Sequence, residues 1–168
     1  MKQDNFLPAG TILINGERKY VIKSVLGHGG FGITYLASAK VRVGNVSVEV
    51  DFAIKEHFDS TLSLRQDSEV ITTNPTKVLE IKESIKSFLA EARRLNELSL
   101  SHPNIVNFNE SFEENGTAYY VMEYVEGQSL REYVRQAPQG RLTEPDALHL
   151  FYPIANAIGY LHNNCSFC

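Results

Sequence analysis

Leu26-Gly27-His28-Gly29-Gly30-Phe31-Gly32-Ile33-Thr34-Tyr35-Leu36 is the stretch whose reading decides the fold. Glycines 27, 29 and 32 match G-x-G-x-x-G, a spacing that by itself also fits a dinucleotide-binding turn. The residues after the third glycine separate the readings. A dinucleotide-binding unit enters a helix there, whereas the β-branched and aromatic run Ile33-Thr34-Tyr35-Leu36 favours a strand. A second β-rich run, residues 20–25, precedes the glycines. The segment therefore predicts strand, glycine turn, strand: a hairpin that can lie over a ligand. Its glycines let backbone amides approach phosphate oxygens without side-chain obstruction, and Phe31 at the tip can shield those oxygens from water.

Working outward, residues 46–55 form a third β-rich run, reached through a Gly44-Asn45 turn. It ends in Phe52-Ala53-Ile54-Lys55, with a lysine closing an otherwise apolar strand, a costly placement unless the charge is paired. Residues 57–77 are polar and read as an exposed insertion. Then Ile81, Ile85, Phe88, Leu89, Ala92, Leu95 and Leu98 recur at three- and four-residue spacing, which predicts an amphipathic helix. Glu91 on that helix is the expected ion-pair partner of Lys55. His102-Pro103-Asn104 ends the helix, and strands at 105–112 and 117–124 follow, joined by the hairpin signal Asn115-Gly116. The expectation is an α+β unit of five antiparallel strands with one helix inserted after the third.

Beyond Gly127 the pattern turns helical, with a short helix at 130–135. A second helix starts at the cap Thr143-Glu144-Pro145-Asp146 and runs to about His162, with Pro153 expected to distort it. The 168 residues carry a net charge of -4, with 43% hydrophobic and 21% charged residues, values that suit a globular chain. Scattered lysines and arginines give no basic footprint for nucleic acid, and no apolar run is long enough to span a membrane, so the expected location is the cytoplasm. The two cysteines, Cys165 and Cys168, are too few for a structural zinc site, and no metal ligand is assigned.

Taken in order, the glycine hairpin, Phe52-Ala53-Ile54-Lys55, Phe88-Leu89-Ala90-Glu91-Ala92, His102-Pro103-Asn104-Ile105-Val106 and Val121-Met122-Glu123-Tyr124-Val125-Glu126-Gly127 resemble the N-terminal lobe of protein kinases. Gly-Gly-Phe-Gly-Ile-Thr-Tyr is especially similar to bacterial Ser/Thr kinases of the eukaryotic type. The resemblance covers roughly residues 20–162. It implies an N-terminal extension over 1–19, an ATP-binding lobe over 20–125 with an αC-type helix, and a hinge exit with the first helices of an incomplete C-terminal lobe over 126–168. By the same resemblance, ATP is the cofactor, taken as Mg-ATP in a complete domain. Lys55 holds its phosphates and pairs with Glu91. Leu26, Gly27, Gly29, Gly30, Phe31, Gly32 and Thr34 cover the nucleotide. Ala53 touches the adenine, Met122 is the gatekeeper, and Glu123 and Val125 present hinge backbone to the adenine edge. Thr34 departs from the family's usual Val, and Ser129 stands where many members place a ribose-binding carboxylate.

In the family a His-Arg-Asp catalytic loop follows the equivalent of Tyr160-Leu161-His162 within about ten residues, and an Asp-Phe-Gly motif comes later. Neither occurs in these 168 residues. The chain is therefore expected to be inactive by itself as a truncated domain, with a protein substrate only if the domain is completed. The alternative is a non-catalytic nucleotide-binding or kinase-interacting module. In either case the apolar residues of 143–162 are expected to stand exposed and to favour self-association or a protein partner.

Overall fold

The computed structural model describes residues 5–30, 32–99 and 102–164. Phe31, Cys165 and Cys168, singled out in the sequence, lie outside them. The elements in order are β1 (Ile12–Asn15), β2 (Arg18–Gly29), β3 (Gly32–Val43), β4 (Val46–His57), β5 (Ser63–Gln66), β6 (Glu69–Thr72), α1 (Val78–Ser99), β7 (Phe108–Glu114), β8 (Thr117–Glu123), α2 (Leu130–Gln136) and α3 (Glu144–Asn164). They fall into two compact units. One holds the residues through Asn96 together with Asn107–Tyr124, and the other holds Glu97–Val106 together with the residues from Val125 onward.

The first unit is built on a six-stranded antiparallel sheet in the order β1-β2-β3-β4-β8-β7. The five strands read from the sequence are present, and a sixth, β1, lies inside the stretch expected to be an N-terminal extension. Leu13 of β1 is fully buried while Ile12 and Ile14 face outward, the alternation of a half-buried strand. Glutamates of β7, at one end of the sheet, bridge to β1 and β2 at the other. The Ile14 amide donates to Glu114 Oε2 at 2.9 Å, Arg18 pairs with Glu110 at 3.2 Å, and the Tyr20 hydroxyl also bonds Glu110. The sheet thus curls around a main core in which Leu13, Tyr20, Ile22, Tyr35, Ile54, Phe112, Tyr119 and Val121 meet. This curling also occupies edge groups that would otherwise invite another strand.

The segment expected to be an exposed insertion is folded. β5 and β6 pair as a two-stranded hairpin, and Ser63 and Arg65 are buried. The reason lies in β4. Phe52, Ile54, Glu56 and Phe58 alternate onto the core face, so a carboxylate enters the core and is 0% exposed. Its oxygens are met by Arg65 Nη2 at 2.6 Å, by the Tyr35 hydroxyl at 2.8 Å and by the Tyr119 hydroxyl at 2.9 Å. Arg65, itself 3% exposed, also donates to the carbonyls of Asn5 at 3.0 Å and Ser68 at 2.9 Å. Burial and the Glu56 charge together push both tyrosine hydroxyls well above their ordinary pKa, so they remain donors. The hairpin is fastened a second time where the Val70 amide bonds the Asn115 carbonyl at 2.8 Å. Asn115 and Gly116 both have positive φ (53° and 69°), as a tight hairpin turn requires. A Cβ on Gly116 would stand 2.7 Å from the Val70 carbonyl oxygen, so glycine is needed there for space as well.

A second, smaller core forms on the other face of the sheet, where Phe88 and Ala92 of α1 pack on Phe108, Ala118 and Tyr120. In the second unit, Ser129 and Glu132 form a reciprocal cap at the start of α2. Thr143 accepts from the Asp146 amide at the start of α3. Helix α3 contains Pro153, whose missing N–H leaves the His149 carbonyl without its helical partner. Of the apolar stripe expected on α3, Leu148, Phe151, Ile154 and Ile158 are exposed while Leu161 is half-buried, and Tyr152 is exposed as well.

Replacing Arg65 with Met is expected to lower stability by about 3 kcal/mol, because it leaves the Glu56 carboxylate buried without a counter-charge. Adding Glu56→Gln to that variant is expected to recover part of the loss, as read from urea unfolding of the two proteins.

Candidate functional site

Cross-strand register places the predicted residues. Thr34 pairs with Lys55, Leu36 with Ala53, Lys55 with Tyr120 and Ala53 with Met122. Directly opposed residues share a face, so Thr34, Leu36, Ala53, Lys55, Tyr120 and Met122 line one side of the sheet. This is the side opposite Glu56. Gly27 pairs with Thr34 at the adjoining edge, and Gly29 pairs with Gly32 across the turn. Gly32 opens a strand rather than a helix, which removes the dinucleotide-binding alternative.

The glycines have distinct roles. A Cβ on Gly27, Gly29 or Gly30 would meet nothing within 4 Å, so these positions leave open backbone on the loop. A Cβ on Gly32 would stand 2.8 Å from the Glu56 carbonyl oxygen and 3.4 Å from Lys55 Cε. That glycine lets the hairpin close down on β4 beside the lysine.

The structure does not bring Lys55 and Glu91 together. Among the described residues no ion pair joins them, and Glu91 is exposed. Instead the Lys55 ammonium lies over two aromatic faces, 5.4 Å from the Tyr120 ring centroid and 6.0 Å from that of Phe88. Helix periodicity explains the difference. At about 100° per residue, Ala92 falls roughly 40° to the side of Phe88 that Ile81 and Ile85 occupy, and Glu91 roughly 60° to the other side. The helix thus buries Ala92 and leaves Glu91 at the margin.

Another side chain ties α1 to the sheet. His57 Nε2 lies 2.8 Å from Ser84 Oγ, the His57 ring meets the Phe88 ring at 5.5 Å, and the His57 carbonyl accepts from Thr117 Oγ1 at 2.5 Å. Burial pushes the His57 imidazole below its ordinary pKa, partly opposed by the charge of Asp59. Sequence reading missed His57 and Glu56. The signal was there, since the alternation that makes Phe52 and Ile54 core residues continues through Glu56.

Where the chain leaves the sheet, Glu123 is fixed on both its polar sides. Its amide donates to the Asn107 carbonyl at 2.9 Å and its carboxylate accepts from Asn107 Nδ2 at 2.6 Å. Val125 opens the second unit and is exposed, and Ser129 is occupied in capping α2. Among the described residues no three His, Cys, Asp or Glu side chains gather as a metal site. No helix there is long and apolar enough to cross a membrane.

The protein kinase domain model matches residues 20–167, the stretch that holds the glycine hairpin, the lysine-bearing strand and the helix after it. The chain belongs to the protein kinase domain family. It is 30% identical to the probable serine/threonine-protein kinase YbdM of Bacillus subtilis over 98% of this chain and 53% of the relative. It is 32% identical to serine/threonine-protein kinase PrkC of the same organism, over 87% of this chain and 18% of that protein. Among solved structures, the apo form of PpkA-294 superposes with a TM-score of 0.78 at 29% identity, covering 96% of this chain and 53% of that one. The PknI kinase domain of M. tuberculosis, 18% identical with a TM-score of 0.54 over 87% of this chain and 48% of its own, shares the fold. The kinase-family chain thus spans about half the length of YbdM and of PpkA-294.

Gly32→Ala is expected to cost about 1–3 kcal/mol in urea unfolding, since the added methyl collides with β4 backbone, whereas Gly29→Ala is expected to leave stability nearly unchanged. A second expectation concerns pH. The unfolded state takes a proton on His57 near its ordinary value of about 6.5, and the folded state resists it. The contribution is therefore complete above that pH and is lost as pH falls toward the depressed folded value. Thermal unfolding followed from about pH 7.5 to 5.5 is expected to show this decline, and His57→Gln is expected to flatten it.

Proposed function

We propose that this chain is the ATP-binding part of a Ser/Thr protein kinase, whose complete form transfers the γ-phosphate of ATP to protein hydroxyls. The observation that carries the reading is the placement of the open glycine hairpin beside Lys55, on the same sheet face as Ala53 and Met122. In this reading the amides of Gly27, Gly29 and Gly30 cover the phosphates, with Gly32 holding the hairpin down. Lys55 leaves its aromatic seat to hold two phosphate oxygens. Leu26, Thr34, Ala53 and Met122 contact the purine, and Glu123 backbone faces its edge. Thr34 contributes less apolar surface there than a valine, which favours modest affinity.

Bound ATP supplies the transferable phosphoryl group, with magnesium carried on its phosphates. Among the described residues no carboxylate set is gathered to hold that metal, and the His-Arg-Asp aspartate that would take a substrate proton does not occur in the 168 residues, so no transfer step is assigned to them. Glu91, on the margin of α1, is the carboxylate that a turn of that helix brings toward Lys55. ATP as ligand fits a cytoplasmic protein.

A second reading, a non-catalytic module that binds nucleotide or another kinase, draws support from the exposed apolar side chains of α3, which suit a protein partner or self-association. The two readings separate on whether the protein, in the length the cell makes it, transfers phosphate.

The 168-residue chain is expected to bind ATP in equilibrium dialysis and to transfer no radiolabelled phosphate. Lys55→Ala is expected to weaken binding about tenfold or more, the loss of a charge-assisted contact. Equal affinity of the two proteins overturns the assignment of Lys55.

A further inference from the structure

The glycine hairpin has a back as well as a front, and the back is occupied. Gly27 opposes Thr34 on the lysine side of the sheet, but His28 opposes Ile33, which is a core residue. The His28 side chain therefore projects on the face away from Lys55. There the Phe6 ring packs against it, with centroids 5.3 Å apart. Phe6 does not hang on a loose tail. On one side of it the Asn5 carbonyl accepts from Arg65 Nε at 3.0 Å, and on the other the Leu7 amide donates to the Tyr35 hydroxyl at 3.2 Å. Both anchors belong to the buried Glu56 cluster, since Arg65 and Tyr35 are two of its three donors.

We infer that residues 5–7 form a strap that positions the glycine hairpin from behind, with Phe6 as its positioning residue, and that the β5–β6 insertion exists in part to seat this strap. The inference rests on the nucleotide-binding reading for its consequence but not for its geometry. Three observations carry it. Phe6 sits between two backbone anchors, Arg65 and the Tyr35 hydroxyl, both of which donate to the buried Glu56. Its ring meets the one side chain between the first two loop glycines. Gly27, Gly29 and Gly30 have no neighbour within 4 Å of where a Cβ would stand, so the loop gains little restraint from packing at these positions. A glycine-rich hairpin loses much conformational freedom when it settles over a ligand. A ring held against His28 removes part of that freedom in advance, and pre-organisation of this kind appears as affinity. The strap meets the hairpin at His28, among the glycines and beyond the purine-facing Leu26, so its effect belongs to the phosphates and not to the purine.

The test uses the full 168-residue chain as wild type, Phe6→Ala and Phe6→Tyr, with two readouts. Amide hydrogen exchange without nucleotide is expected to quicken about fivefold over residues 27–30 in Phe6→Ala, with β4 and β8 unchanged, and to return to the wild-type rate in Phe6→Tyr, which keeps the ring. In equilibrium dialysis, Phe6→Ala is expected to bind ATP about fivefold more weakly while binding adenosine, which lacks phosphates, as the wild type does. Unchanged exchange in the loop overturns the strap regardless of nucleotide. Equal weakening of ATP and adenosine, with faster exchange throughout the sheet, reduces Phe6 to a packing residue and also overturns it. A wild-type chain that binds ATP no better than adenosine, with loop exchange still sensitive to Phe6, overturns the nucleotide reading and the functional half of the inference while upholding the strap.

Discussion

The carboxylate of Glu56, buried one residue beyond Lys55, is the constraint on which the first unit depends. An ionised group at 0% exposure carries a desolvation cost of several kcal/mol, and only a close counter-charge with further hydrogen bonds offsets it. The chain meets that demand from three distant places: Arg65 from the insertion, Tyr35 from β3 and Tyr119 from β8. Arg65 and Tyr35 in turn hold the backbone on either side of Phe6. A largely polar insertion and the segment around Phe6 are thereby tied to the same buried charge, which adds to the apolar contacts that Leu7 and Val70 make with the core.

Lys55 presents the opposite case. Its charge is placed over aromatic faces, an interaction worth about 0.5–2 kcal/mol depending on desolvation. A partly exposed ion pair with a helix carboxylate is worth about 0–1 kcal/mol. The two are similar in size and both are small, so neither holds the ammonium firmly. The same aromatic pair, Phe88 on Tyr120 at 4.8 Å, also seats α1, so movement of that helix and the resting place of the lysine are linked through one stacked contact.

How much of this was legible in the sequence depended on whether the deciding residues were apolar. The glycine hairpin, the lysine strand, the Asn115-Gly116 turn and α1 were readable because spacing and turn chemistry state them directly. β1 was not: Ile12-Leu13-Ile14-Asn15 is apolar at successive positions, so period two is invisible until Leu13 is found inside and its neighbours outside. The β5–β6 hairpin escaped for a different reason. Its buried residues, Ser63 and Arg65, are polar, and hydrophobic periodicity cannot register a segment held by an ion pair. Glu91 was drawn toward Lys55 by family likeness and by its place between Phe88 and Leu95, yet the tighter geometry of the helix gives the inward position to Ala92.

Strand β4 connects these features, because its residues alternate between two jobs. Ala53, Lys55 and His57 face the glycine hairpin and α1, while Phe52, Ile54, Glu56 and Phe58 face the main core. A strand cannot shift one set without the other, since a slip of one residue exchanges the faces. Fixing Glu56 in its cage of donors therefore fixes the height and register of Lys55, and the close approach of Gly32 to the Glu56 carbonyl sets how far the hairpin descends beside it. The lysine-bearing side of this sheet is held in register because the far side contains a charge that has only one place to go.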